Sequence, residues 1–106
     1  MAKRKGTKRK GVKSWVRSAY AHLAARDRLI KSKDSSFDSY RKALYHDACV
    51  RGTLSVERPL SEFDKSSNFY NAGINARACI SHGHKISDKG NFWQPYRDEI
   101  KRKSRK

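Results

Sequence analysis

Cysteine and histidine are the residue types in this sequence best suited to metal or nucleophile chemistry. There are two cysteines and four histidines, and three of the histidines stand close to a cysteine. His46 precedes Cys49 by three residues, Cys79 precedes His82 by three, and His84 follows two further on. On a helix, a separation of three puts both side chains on one face. Two facing helices would then offer His46, Cys49, Cys79 and His82 to one tetrahedral Zn²⁺, as two thiolates and two imidazoles. A small, polar-rich core is where a structural metal adds most. The order departs from the usual finger, in which two cysteines precede two histidines. Buried free cysteine, packing as a small hydrophobe, is the preferred reading; zinc comes second and a disulfide last. The cofactor expectation is therefore none, or one structural zinc.

A cysteine–histidine pair can also activate a thiolate, but nothing else here supports catalysis. No glycine loop would cradle phosphate, and Asp98 and Glu99, being adjacent, point in different directions on a helix. Asp27, Asp38 and Asp47 read as helix-surface or first-turn acids. The expectation is a protein that is not an enzyme.

Charge is the stronger signal. The 106 residues hold 26 Lys+Arg against 10 Asp+Glu, a formal net charge of +16. Lys3, Arg4, Lys5, Lys8, Arg9, Lys10 and Lys13 crowd the first thirteen residues without an acid, and Lys101, Arg102, Lys103, Arg105 and Lys106 crowd the last six. Residues 14–100 are left with 14 basic and 10 acidic residues. This divides the chain into a basic arm (1–13), a domain (14–100) and a basic tail (101–106). Such arms repel themselves and have nothing to bury, so they are expected to be disordered or ordered only by a partner. Nucleic acid, DNA or RNA, is the commonest polyanion, and those twelve residues with Trp15 and Arg17 are the expected contacts. A membrane partner is not expected, because the arms lack apolar anchors. The longest apolar-looking stretch, residues 19–25, contains His22 and is far short of the ~20 residues of a span.

The elements that must position these residues read as helices. From about residue 14 to 33, Val16, Ala19, Tyr20, Leu23 and Ile30 share a stripe, with Arg17, Arg28 and Lys31 on another side and Arg26 and Lys33 nearby. A second helix starts at Phe37 after an Asp34-Ser35-Ser36 cap and carries Tyr40, Leu44 and Ala48 to Arg51, with Gly52 as its stop. Residues 53–60 suggest an extended connection, and residues 61–64 a single helical turn. A third helix, capped by Ser66 or Ser67, runs to about His82 with Phe69, Gly73, Ala76 and Ile80 inward and Gly83 ending it. Gly73 suggests a close backbone approach. Asp88-Lys89-Gly90-Asn91 reads as a turn. Pro95 opens a last short helix into the basic tail, after the aromatics Phe92 and Trp93 and beside Tyr96. These aromatics are expected mostly to close the core, with Trp15 the more exposed and able to stack on a base.

The fold class is therefore all-α: a small domain of three main helices plus a short C-terminal helix, flanked by basic arms. In composition alone, the arms resemble those of ribosomal proteins and small viral genome-packaging proteins. That resemblance implies a non-catalytic structural component of a nucleoprotein particle, docked on a larger protein or nucleoprotein assembly, inside a cell or a virus particle. No secretory signal is readable. The alternative is a sequence-specific DNA-binding regulator. Its tight junction near residues 33–36 would turn Ser39, Arg41, Lys42 and Arg51 toward DNA.

Overall fold

The computed structural model describes residues 13–86 and 94–105. The described residues form four helices and no strand: α1 (Ser14–Lys31), α2 (Phe37–Val56), α3 (Glu62–Ser81) and α4 (Arg97–Ser104). The all-α reading with three main helices and a short last one holds. The suggested turn at residues 88–91, with Phe92 and Trp93, lies outside the described residues.

The boundaries moved where local chemistry outweighed punctuation. Gly52 does not stop α2, and residues 53–56 are helical rather than extended. Thr53 donates its hydroxyl to the Cys49 carbonyl, one turn back, at 2.7 Å, so its polar group is satisfied inside the helix. Leu54 gains a buried place in the core. The helix ends instead at Glu57, whose φ of 54° is left-handed, a conformation costing about 1 kcal/mol or more outside glycine. The last turn of α2 has no cation of its own. Lys103 of α4 supplies one by donating to the Leu54 carbonyl at 2.9 Å, where the helix dipole favours positive charge.

α3 begins at Glu62, not after Ser66 or Ser67, because Ser61 and Asp64 form a capping box. Their reciprocal bonds satisfy two backbone donors and join the expected single turn to the helix. Ser61→Ala is expected to cost about 1 kcal/mol, read as a lower urea midpoint at unchanged slope. Gly83, at φ 87°, follows the end of α3 as expected.

α2 is the central element. α1 and α3 both pack along it, and α4 rests on α1 and α2. One core cluster joins Trp15, Val16, Ala19 and Leu23 of α1 to Val50 and Leu54 of α2, with Tyr96 and Ile100 from the C-terminal segment. A second joins Tyr40 and Ala43 to Ala76 and Ile86, flanked by Leu29, Leu44 and Cys79. The start of α1 thus meets the end of α2, and the start of α2 meets the end of α3, so consecutive helices run antiparallel. Of the expected inward stripe on α3, only Ala76 is fully buried, alongside Ala72. Alanines bring α3 close to α2 and leave Phe69 and Ile80 at the margin. Nor does Gly73 admit a backbone: a Cβ there would meet only the Arg41 side chain, at 3.5 Å.

Candidate nucleic-acid interface

The C-terminal segment is held by a buried ionic network that the surface reading of Asp47 did not anticipate. Asp47 is 2% exposed and Arg26 6%. Arg26 donates to the Asp47 carboxylate at 2.6 Å and to the Gln94 carbonyl at 2.8 Å. On the other carboxylate oxygen, Arg51 donates at 3.1 Å and the Tyr96 hydroxyl at 3.4 Å. The Arg26 guanidinium also lies 5.4 Å from the centre of the Tyr96 ring. Burial, then the Asp47 charge, pushes the Tyr96 hydroxyl above its ordinary range, so it stays protonated and donates. A signal was present in the sequence. Arg26 continues the stripe of Ala19, Leu23 and Ile30, and a cation on an apolar stripe requires a buried acid partner. Asp47 stands likewise between Ala43 and Val50. The network ties α1 and α2 to the segment entering α4, and so fixes where the last helix lies.

This placement brings the start of α1, with Lys13 and Arg17, to the same end of the bundle as the described part of the basic tail. Trp15 at the start of α1, Leu54 at the end of α2 and Ile100 in α4 belong to the same cluster, and Lys103 reaches the α2 end at Leu54. The segment entering α4, at Gln94 and Tyr96, sits beside Arg26 and Asp47. α4 therefore runs toward the end of the bundle where α1 begins. Lys13, Arg17, Lys101, Arg102 and Arg105 are exposed. Lys103 is partly buried, held by the Leu54 carbonyl and lying 3.9 Å from Glu57. The first part of the basic tail is thus a helix face anchored by Ile100. Arg28 and Lys31, also exposed, extend the positive face along α1 with Arg17. Lys3, Arg4, Lys5, Lys8, Arg9, Lys10 and Lys106 lie outside the described residues. Trp15 is 4% exposed, so the expectation that it is the more exposed aromatic, able to stack on a base, is corrected: its indole lies in the core cluster that also holds Ile100.

The residues assigned to base reading are engaged within the fold. Ser39 is buried, its hydroxyl donating to Asp34 at 2.6 Å and its backbone N–H to Ser36. Arg41 and Lys42 both pair with Asp38, and Arg51 pairs with Asp47. Hydrogen bonds from Ser39 and Ser36 hold the Asp34 carboxyl below its usual range, and those from Arg41 and Lys42 do the same for Asp38.

The expected zinc ligands are not brought together. Among the described residues, no three His, Cys, Asp or Glu side chains converge on a point suited to a metal. Cys49 is buried and accepts a bond from Asn68 at 3.8 Å, and burial pushes its thiol up. Cys79 packs at the second cluster, both thiols are free, and His82 is the exposed C-cap of α3. His46 faces His22 instead, Nδ1 to Nδ1 at 3.0 Å. That bond requires one of the two nitrogens to lack a proton.

Burial, then His22, Arg28 and Lys42, lower His46 from 6.5 to about 4. Burial and then Lys65 lower His22 as well. The unfolded chain therefore binds more protons than the folded one between these values, and stability rises with pH there. Stability is expected to be full above pH ~6.5 and to fall by about 1–2 kcal/mol toward pH ~4, allowing for screening at these half-buried rings. Urea midpoints across that range check this, and His46→Gln should flatten the profile. No known protein family, no curated protein and no solved structure matches the chain.

Proposed function

We propose that this protein is a non-catalytic, nucleic-acid-binding component of a nucleoprotein particle, of the viral genome-packaging or ribosomal type. The observation that carries this reading is that Lys13 and Arg17, at the start of α1, lie at the same end of the helical domain as the exposed cations of α4. Cations grouped in this way neutralise adjacent phosphates of one nucleic-acid segment and release condensed counterions. The helices serve as the scaffold that holds the anchored part of the charge, and the arm extends its reach. Lys101, Arg102, Arg105, Lys13 and Arg17 act as fixed contacts; the rest of the arm follows the backbone of the nucleic acid.

A regulator that reads bases through α2 is less well supported. α2 is covered by α1 and α3, and the four side chains it would use are committed to Asp34, Asp38 and Asp47. Nucleic-acid affinity against salt concentration tests the proposal, for the full chain and for a full-length variant with the six cations of residues 3–10 changed to glutamine. Charge-held binding predicts a steep slope that falls with those cations and differs little between sequences. Binding that keeps its slope in the variant, or that depends on one duplex sequence and is lost in Arg41→Ala, would sink it.

A further inference from the structure

α3 meets α2 through alanines, with Phe69 at the margin, and carries other large apolar side chains on the opposite side. Phe63, Tyr70 and Ile74 follow one another at spacings of seven and four, and are 81%, 70% and 50% exposed. The exposed serines Ser66 and Ser67 lie between them. Tyr70 and Ile74 continue into a groove lined by Phe37, Phe69 and Gly73. Its two arginines lie over aromatic rings, and Arg77 stays exposed. Arg41 pairs with Asp38 and lies 4.1 Å from the centre of the Phe69 ring, and Arg77 lies 5.5 Å from that of Phe37.

Area and charge together indicate what covers this face. At about 200 Å² per large side chain, the five apolar residues expose about 550 Å². A stable interface takes about 600 Å² or more from each partner, a value reached once Ser66, Ser67 and Arg77 are added. In a chain of +16, α3 has two acids, Glu62 and Asp64, and two bases, Lys65 and Arg77, and so no net charge. This face has little attraction for phosphate and little repulsion for another copy of itself. Its acids stand at the start and Arg77 near the end.

Antiparallel pairing about Tyr70 therefore sets Arg77 of each copy against Phe63 of the other, flanked there by Glu62 and Asp64. The same register sets Ile74 against Ser66, a large side chain against a small one, and Gly73 against Ser67, two small residues that leave room beside the Tyr70 pair. Such self-complementarity is what a two-fold interface demands. We infer that α3 is the seam of a homodimer. The inference does not rest on the nucleic-acid reading, although two linked copies would bind one polyanion more tightly than one.

Sedimentation velocity of the nuclease-treated full chain, from micromolar to submillimolar in high salt, tests this. The expected mass rises to twice 12.2 kDa. Tyr70→Lys should raise the dimer dissociation constant at least ~30-fold without changing the far-ultraviolet circular dichroism, because Tyr70 is already exposed. Ile74→Ser, a milder change on the same line, should shift it in the same direction. Glu62→Lys and Arg77→Glu should each weaken the dimer and together restore it. A chain that stays monomeric throughout, or a dimer indifferent to both Tyr70→Lys and Ile74→Ser, overturns the inference. So does a monomer whose binding to single-stranded nucleic acid falls on Tyr70→Ala, which would make the face a base-stacking platform.

Discussion

Asp47→Ala is expected to bring the domain close to unfolding. The substitution removes the more deeply buried of the two carboxylates that pair with Arg26, itself 6% exposed, and it frees Arg51 and the Tyr96 hydroxyl as well. Breaking a buried ion pair from one side costs about 3–5 kcal/mol, and a small domain has only about 5–15 in all. Urea denaturation should show a large fall in midpoint. Asp47→Asn keeps the shape and some of the hydrogen bonds but removes the charge, so its loss should be smaller. The double change Arg26→Met with Asp47→Leu removes both charges together and should recover most of the loss, since well-packed apolar pairs often match buried ionic ones. A drop below about 1 kcal/mol in Asp47→Ala would mean that Asp27, which already accepts from Arg26 at 3.0 Å, or water suffices to hold the guanidinium. The network would then not be what holds α4 in place.

The second large effect is on binding. A protein that neutralises six to ten phosphates loses about 10³–10⁵ in affinity between 50 and 200 mM salt, with a log–log slope of about −0.9 per phosphate on duplex DNA and −0.7 on single strands. The twelve basic residues at the two ends put the full chain in that range. Changing the six cations of residues 3–10 to glutamine should reduce the slope by up to about 5 on duplex, with little change in stability because all six precede α1 in the sequence and none belongs to the described core. Neutralising Lys101 and Arg102 should take off about one unit each at most, since both are exposed on α4. Lys103 differs: it donates to the Leu54 carbonyl, so Lys103→Gln should cost stability as well as affinity. Deleting the whole tail would remove this anchor and confuse the two effects, so point substitutions are the cleaner probe. A duplex preference that survives these changes would point to base reading instead.

The limits of sequence legibility can be traced to particular residues. The first two helices follow from apolar periodicity together with the Ser36 cap, and the end of α3 from Gly83. The start of α3 was missed because Ser61 and Asp64 were read as an isolated turn. The end of α2 was missed because Gly52 and Thr53 look like breakers until Leu54 is seen to pack against α1. At the site, the charge of both ends was plain, and the placement of α4 beside the start of α1 was not. The cysteine–histidine spacing suggested a shared site that the packing does not assemble: His46 turns to His22, twenty-four positions away in the chain.

The sequence by itself determined the helical class, the segregation of charge to the two ends and the near-neutral domain between them. These are sums over local properties, and each residue contributes whatever its neighbours in space. Only the tertiary structure decided that Arg26 and Asp47 are buried partners, that Trp15 closes the core, that the start of α1 and the cations of α4 share one end of the bundle and that the aromatic side of α3 faces outward. Each of these depends on which helix packs on which. That choice is made by side-chain volume at the contact, with alanine on α3 and leucine, valine and tyrosine elsewhere, and by the cost of leaving a buried charge unpaired.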